Sequence, residues 1–472
     1  MEFLDRKEEL SELKRVLNPN TPPRFVVIYG RRRLGKSTLI KKALDAGSIY
    51  YMAGDFVDQV QREMLISRLS EKIPAMKISN PESWEDIFKL LNLLTTEQFT
   101  LCLDEFPYMV KHAPELPSVI QGLVDSKELK YNLVICGSSQ RMMQNMILSR
   151  SEPLFGRAGT IMDIKPLPIS YLQEGLHLDS IETIEEYSVW GGVPRYWELR
   201  EEYESLDEAL RATMLTPTGV LYEEPKRLFM DDMMSTVQSE SLMAVVAGGA
   251  NRLSEIACRM GREATALSAP IDRLIQMNYM RREIPFGESP RKSKKGIYRI
   301  NDSMMDFYYT FIVPNLSSIG RGRKSYIIDE IKSKFNEYVG RHWEHLCREA
   351  VSGNLLFGYR WGEASRWWGS VKTVSSGLKE MEFDVIAESR DGSALLVGEC
   401  KWTNPEQALP LINRLKDKSA LLPLAQNKEI IPVLFLKNRP KDLGDASNIK
   451  ILYPEDVISL SYGEVEYSEP RL

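Results

Sequence analysis

The sequence predicts an α/β protein: an N-terminal parallel sheet covered by helices on both faces, a helical middle, and a second α/β unit at the C-terminal end. Three observations carry this. Short apolar runs at 25–29 (FVVIY), 49–53 (IYYMA), 99–103 (FTLCL) and 132–136 (NLVIC) alternate with stretches of helical spacing, the pattern of strands buried on both faces. The chain changes character near 168, 236 and 320. Two further strand-like runs flank Asp391-Gly392, a strong hairpin signal. A length of 472 residues suits about three domains.

Composition narrows the classes. There are 61 Lys+Arg against 66 Asp+Glu, a formal net charge of -5, which excludes a polybasic packaging protein but not a local basic patch. No apolar run reaches the ~18 residues needed to span a membrane, so no membrane partner is expected. The opening Met1-Glu2-Phe3-Leu4-Asp5-Arg6 is charged at once, unlike a signal peptide. The five cysteines, at 102, 136, 258, 347 and 400, show neither zinc spacing nor a disulfide framework. A reducing, cytoplasmic setting is expected.

In chain order, Leu10, Leu13 and Leu17 give residues 3–17 helical spacing, and the Pro-rich stretch 18–23 ends that helix. The four apolar strands follow, with 161–167 (IMDIKPL) as an expected fifth. Residues 168–235 read mainly as helices, broken at Gly191-Gly192-Val193-Pro194. Helices around 252–260 and 266–278 then lead into a hairpin over 280–300, the outline of a winged helix. Beyond Gly320 a helix at 330–350 precedes strands near 381–388 and 394–402. The expected division is 1–167, 168–235, 236–320 and 321–472.

Gly30-Arg31-Arg32-Arg33-Leu34-Gly35-Lys36-Ser37 matches G-x-x-x-x-G-K-[ST]. The glycines let the backbone curl so that N–H groups point at phosphate oxygens. Lys36 is expected on the β- and γ-phosphates and the Ser37 hydroxyl on Mg²⁺. A strand precedes the loop and a helix beginning at Thr38 follows, adding a positive N-terminus. Arg33, Leu34 and Thr38 are counted with Gly30, Gly35, Lys36 and Ser37 as nucleotide-binding, while the three arginines read equally as loop solvation. The strand Leu101-Cys102-Leu103 ends in Asp104-Glu105. Asp104 is expected to hold Mg²⁺ and Glu105 to orient and deprotonate the attacking water, the chemistry of ATP hydrolysis. Ser138 and Ser139 end the next strand, where a polar side chain can sense the γ-phosphate. Arg157, in Phe155-Gly156-Arg157, is a candidate arginine finger, in cis or in trans, or an ordinary surface arginine.

With Phe3-Leu4-Asp5-Arg6-Lys7-Glu8-Glu9-Leu10 ahead of the loop, Leu103-Asp104-Glu105, Cys136-Gly137-Ser138-Ser139 and Gly192-Val193-Pro194-Arg195-Tyr196, the chain resembles the archaeal-type ATPases of the AAA+/STAND division, which also occur in bacteria. The resemblance implies that Arg6 and Pro194 border the adenine end of ATP and that Arg195 is a lid sensor. It also implies a helical lid, oligomerisation, and continuation into a winged helix and a nuclease-like domain, so it spans nearly the whole chain.

Seven basic residues lie between Arg281 and Arg299, at 281, 282, 291, 292, 294, 295 and 299, opposed by Glu283 and Glu288. A basic hairpin tip after a helix pair is placed to touch DNA phosphates. The 264–278 helix offers Arg273 and little else to read bases. The other reading is a solvated loop on a domain that only transmits nucleotide state.

Residues 380–402 read EMEFDVIAESRDGSALLVGECKW. A turn at Asp391-Gly392 sets Asp384 opposite Glu399 and Glu382 opposite Lys401, all on one face. Two carboxylates beside an ammonium form a hard-oxygen site for Mg²⁺, with the lysine near a scissile phosphate. Asp384, Glu399 and Lys401 resemble the D…E-x-K pattern of the PD-(D/E)XK nuclease superfamily. That resemblance implies a further acid on the preceding helix, Glu344, with Glu337 second. The alternative is a solvated polar face with Glu382 on Lys401. Trp367-Trp368, beside Arg366, reads as a base-stacking pair or, more simply, as core.

The sequence thus reads as a P-loop NTPase sheet with a helical lid, then a winged helix, then an α/β PD-(D/E)XK nuclease-like domain. ATP state would gate that last domain, which would bind or cut DNA with Mg²⁺. The alternative is a non-cutting signalling or DNA-binding switch with a docking module at its C-terminal end.

Overall fold

The computed structural model describes residues 6–79, 81–233, 235–373, 377–403, 409–441 and 450–461. Phe3, Leu4 and Asp5 of the opening segment lie outside the described residues. Five parallel strands make the first sheet: β1 (Phe25–Tyr29), β2 (Ile49–Met52), β3 (Thr100–Asp104), β4 (Asn132–Gly137) and β5 (Thr160–Asp163), in the order β2-β3-β4-β1-β5. Every residue of β1, β3 and β4 is buried, which is why those runs are continuously apolar. Because the strands are parallel, the loops after β1, β3 and β4 emerge on one edge and bring three motifs together. β5 is shorter than the expected 161–167 because Pro166 and Pro168 follow it. The Leu167 N–H turns instead to the Gly192 carbonyl, at 2.7 Å. Gly192 is required there, since a Cβ would stand 2.1 Å from the Leu167 oxygen.

Helices Ile169–Leu176, Ser180–Trp190, Pro194–Glu201, Leu206–Thr213 and Glu224–Asp232 follow. Asp179 and Glu182 cap the second with a reciprocal box. Helices Thr236–Ala247, Leu253–Met260 and Ala264–Gln276 lead to an antiparallel pair, β6 (Met280–Glu283) and β7 (Ile297–Ile300). A short helix, Ser303–Phe307, precedes the 28-residue helix Lys324–Val351.

Two short strands, β8 (Leu355–Leu356) and β9 (Tyr359–Arg360), precede the second sheet. Its members are β10 (Ser365–Thr373), β11 (Gly377–Glu388), β12 (Ala394–Lys401), β13 (Glu429–Leu436) and β14 (Lys450–Leu452), adjacent in that order. The first two junctions are antiparallel and the last two parallel. Val385 faces Gly398 and Ile386 faces Val397, the register expected from Asp391-Gly392. The turn itself closes from the Gly392 N–H to the Ser389 carbonyl, at 2.9 Å.

One apolar core runs from Leu13, Val26 and Ile28 through Trp190, Trp197 and Tyr279 to Trp343, Val385 and Phe435. It joins one face of each sheet through the helices between them. Separate cores cover the opposite faces, one around Phe88 and Leu101 and one around Phe383 and Leu434. No helix among the described residues is long and apolar enough to cross a membrane.

Candidate functional site

The loop after β1 begins at Gly30, whose φ of 152° and position leave no room for a Cβ; one would stand 2.5 Å from the Ile164 oxygen. It closes at Gly35, φ 81°, beside open space, the kind of turn whose backbone N–H groups cradle an anion. Helix Lys36–Ala43 starts there. Lys36 is buried, and its ammonium donates to the Gly30 and Arg31 carbonyls at 2.7 and 2.9 Å. Burial lowers its pKa, so an anionic ligand that shares its charge is favoured. Thr38 is exposed and Leu34 buried.

The Ser37 hydroxyl donates to Asp104 Oδ2 at 2.6 Å, so two hard oxygen donors stand adjacent at the loop, a set that fits Mg²⁺. Tyr50, on β2, donates to the same Asp104 oxygen at 2.5 Å. Burial first, and then Asp104, push its phenol well above its ordinary pKa. Glu105 takes a left-handed φ of 54°, which turns its side chain toward β4. There it accepts from the Ser138 hydroxyl at 2.8 Å and from the Ser138 N–H at 3.3 Å. Ser139 instead caps helix Gln140–Leu148. Lys36, Ser37, Asp104, Glu105 and Ser138 are therefore gathered at one edge, with a cation, two Mg²⁺-type oxygen donors and a carboxylate held by a hydroxyl.

The flanking candidates divide. Arg6 is buried and reaches the Lys165 carbonyl and, at 3.5 Å, the Leu34 carbonyl. Pro194 opens a helix behind the Gly191-Gly192 turn. Arg195 lies on the outer face, paired with Glu198 at 2.8 Å. Arg157 is held on the surface by Asp125 through three contacts of 2.9–3.1 Å. Neither guanidinium is brought to the loop in this arrangement.

The loop arginines are not loop solvation. Arg31 is buried and ion-paired with Asp302, donates to the Tyr196 hydroxyl at 3.2 Å and lies over the Tyr279 ring at 5.3 Å. Arg33 pairs with Glu224 at 2.8 Å, and Arg32 donates to Tyr108 at 3.0 Å. Sequence reasoning missed Tyr50, Glu224, Asp302 and Tyr279, because their partners lie far away in sequence and no local spacing marks them.

At the second sheet, Asp384 stands where the β11–β12 ladder parts, and its Oδ2 accepts from the Cys400 N–H at 2.8 Å. Burial first, then Glu399, raise its pKa. Glu399 is clamped by Lys401 at 2.8 Å and by Lys418 of helix Leu409–Ala420 at 2.9 Å. Burial works against its ionisation, but these two donors hold it below the usual carboxylate range. Glu344 lies within the electrostatic reach of Asp384, and burial raises its pKa, whereas Glu337 is exposed. Asp384, Glu399 and Lys418 line one cleft.

The expected Glu382–Lys401 pair does not form: Glu382 binds Arg366, and Lys401 binds Glu399. With the ladder ending at Val385, the two strands diverge before reaching those positions. Among the described residues no three acids, histidines or cysteines gather closely enough to hold a metal ion. With both Glu399 oxygens on ammonium groups, the donor set as it stands does not fit a divalent cation.

The hairpin also differs from expectation. Arg281 and Arg299 turn inward to Glu283 at 2.8 and 3.6 Å, joined by Arg348 and Arg366, each at 3.5 Å. Arg282 donates to the Pro290 and Ser293 carbonyls, and Lys295 pairs with Glu288 at 2.7 Å. Arg291, Lys292 and Lys294 remain exposed at the tip. The loop docks on the second sheet, where the Phe286 N–H meets the Arg366 carbonyl at 2.8 Å and its ring joins the core around Phe383. Trp367 packs against Phe383, with ring centroids 6.0 Å apart, which favours the core reading for that residue.

Residues 3–199 match the family model described as an ATPase domain predominantly from Archaea. Residues 308–415 match one described as archaea bacterial proteins of unknown function. An uncharacterized protein of Methanocaldococcus jannaschii is 31% identical over 464 residues, spanning 94% of this chain and 98% of its own. A second protein of that organism, described as an uncharacterized ATP-binding protein, is 51% identical over 43 residues, 9% of this chain and 71% of its own. Among solved structures, the Walker-type ATPase of Pyrococcus abyssi superposes with a TM-score of 0.50 at 20% identity, covering 65% of this chain and 96% of that one. This last is a likeness of fold.

Proposed function

The chain belongs to the archaeal-type ATPase family, with an AAA+-like P-loop domain that hydrolyses ATP, and on that premise we propose that nucleotide state gates a DNA-engaging C-terminal domain. In this reading ATP lies on the loop 30–37, bordered by Arg6 and Pro194. Ser37 and Asp104 would hold Mg²⁺, which would neutralise charge on the phosphates. Lys36 draws the β- and γ-phosphates, and Glu105, oriented by Ser138, positions the attacking water and accepts its proton. Arg195, and Arg157 in cis or in trans, would have to leave Glu198 and Asp125 to reach the nucleotide. The reading keeps 1–167 as the ATPase core, 168–235 as a lid, 236–320 as a winged helix and 321–472 as a nuclease-like domain, acting in the cytoplasm.

The observation that carries it is the shared cleft of Asp384, Glu399 and Lys418, with Lys401 bound to Glu399 at 2.8 Å, together with an exposed basic tip at Arg291, Lys292 and Lys294. Cutting needs Glu399 released from its lysines, which is the step ATP would control. The lysine clamp also favours a second reading, in which the domain binds DNA phosphates, or a protein partner, without cutting.

A fluorescence-anisotropy titration separates DNA from protein partners. Labelled duplex should bind at low salt, and affinity should fall as salt rises. Arg291→Glu with Lys292→Glu and Lys294→Glu should reduce the slope of log affinity against log salt by about 3, at about one per lost phosphate contact. No anisotropy change at low salt removes DNA from both readings and leaves protein partners.

A further inference from the structure

The P-loop is tied to the C-terminal half by a residue that its consensus leaves free. Arg31 occupies one of the four variable positions. Its carbonyl accepts from Lys36 at 2.9 Å, and its guanidinium is ion-paired with Asp302, 271 residues away. Both side chains are nearly buried, at 7% and 10% exposure. The surroundings are polar, and both residues line one cavity. Tyr196 donates to Glu224 at 3.1 Å and Tyr279 donates to Asp232 at 3.0 Å. Arg31 Nε lies buried with no hydrogen-bond partner.

Asp302 has a second task. Its Oδ1 accepts from the Met305 N–H at 2.7 Å and so caps helix Ser303–Phe307. That short helix holds the long helix Lys324–Val351 at two points. The Ser303 carbonyl, at 3.2 Å, shares the Tyr338 hydroxyl proton with the Ser188 carbonyl, at 2.8 Å, and Asp306 meets His342 at 3.0 Å. The long helix then bears Glu344, and its Arg348 donates to the Asp384 carbonyl at 2.9 Å.

When a phosphate arrives at the loop, the Lys36 ammonium is drawn toward it and away from the Gly30 and Arg31 carbonyls. The Arg31 peptide is then free to shift, and its side chain is the one fixed to the helix cap. We infer that Arg31 is a positioning residue that transmits phosphate occupancy of the loop, through Asp302 and the helix it caps, to the long helix carrying Glu344. The inference rests on the ATPase reading of the loop. It identifies one contact whose two ends both sites bias, as coupling between sites requires.

The test uses the full chain and AMPPNP, with amide hydrogen exchange as the readout. Nucleotide should protect the 30–37 loop in the wild type and also change exchange across 303–312 and 338–351. Asp302→Asn keeps an acceptor for the Met305 N–H but removes the charge facing Arg31. It should still protect the loop, lose the change across 303–312 and 338–351, and alter the affinity for AMPPNP by about fivefold or more. Arg31→Gln, a second variant that removes the other charge of the pair, should do the same. A wild-type response at 303–351 in both variants overturns the assignment. So does loss of nucleotide binding in both, since the pair would then belong to the binding site itself. Failure of the wild type to protect its loop would instead overturn the ATPase reading.

Discussion

Replacing Lys36 with alanine is expected to lower kcat for ATP hydrolysis by about 10²–10³-fold, the usual cost of removing one preorganised donor to developing charge. The ammonium is buried, its pKa is lowered by that burial, and its two acceptors are carbonyls of the loop itself. A buried cation held by neutral acceptors alone is costly. The phosphates would supply the counter-charge. Alanine should therefore also weaken nucleotide binding, measured with a fluorescent ATP analogue. Glu105→Gln separates chemistry from binding. It keeps an acceptor for Ser138 but cannot take a proton, so kcat should fall by about 10²–10⁴-fold while the nucleotide still binds. Full hydrolysis by Glu105→Gln would assign the base elsewhere.

Glu283→Gln is expected to destabilise the protein by about 3–5 kcal/mol, the cost of removing one partner from a buried ionic group. Glu283 is 13% exposed and faces four guanidinium groups, those of Arg281, Arg299, Arg348 and Arg366. Glutamine keeps the volume and leaves Arg281, Arg299 and Arg348 without the anion they share, while Arg366 retains Glu382. Two of these come from the hairpin and two from the C-terminal half, so the contact fixes one against the other. Burial alone would raise the carboxyl's pKa, but the surrounding arginines hold it well below the usual range. A depressed folded pKa gives stabilisation that is present above the unfolded value, about 4.3, and is lost as pH falls below it. The gap between wild type and Glu283→Gln, measured by denaturant unfolding, should therefore be full near pH 7 and shrink in acid. Adding Arg299→Gln should recover part of the loss. A gap that is constant from pH 7 to pH 3 would contradict the ionic origin.

The same cluster shows where the sequence was legible and where it was not. The first sheet could be read because buried parallel strands leave unbroken apolar runs, and Gly30 to Ser37 and Asp104-Glu105 are local patterns set by backbone geometry. The β11–β12 register could be read because Asp391-Gly392 fixes it. The basic hairpin was legible only in part, since charge counted along the chain does not reveal which side a strand faces. Arg281 and Arg299 are basic in sequence, but their charge is met by Glu283 within the protein. Arg31 was equally opaque, because its partner Asp302 is near it only after folding. Glu382 and Lys401 lost their expected pairing because the two strands separate at Val385 and Gly398, a divergence with no sequence signal.

The most direct test of nucleotide gating is plasmid cleavage by the purified full chain with Mg²⁺, with and without ATP, with Lys36→Ala and Asp384→Ala proteins alongside. The account predicts nucleotide-dependent cutting that Asp384→Ala abolishes and Lys36→Ala alters. Cutting at the same rate with and without ATP, or none in any nucleotide state while ATP is still hydrolysed, would contradict it; the second result would favour the docking reading.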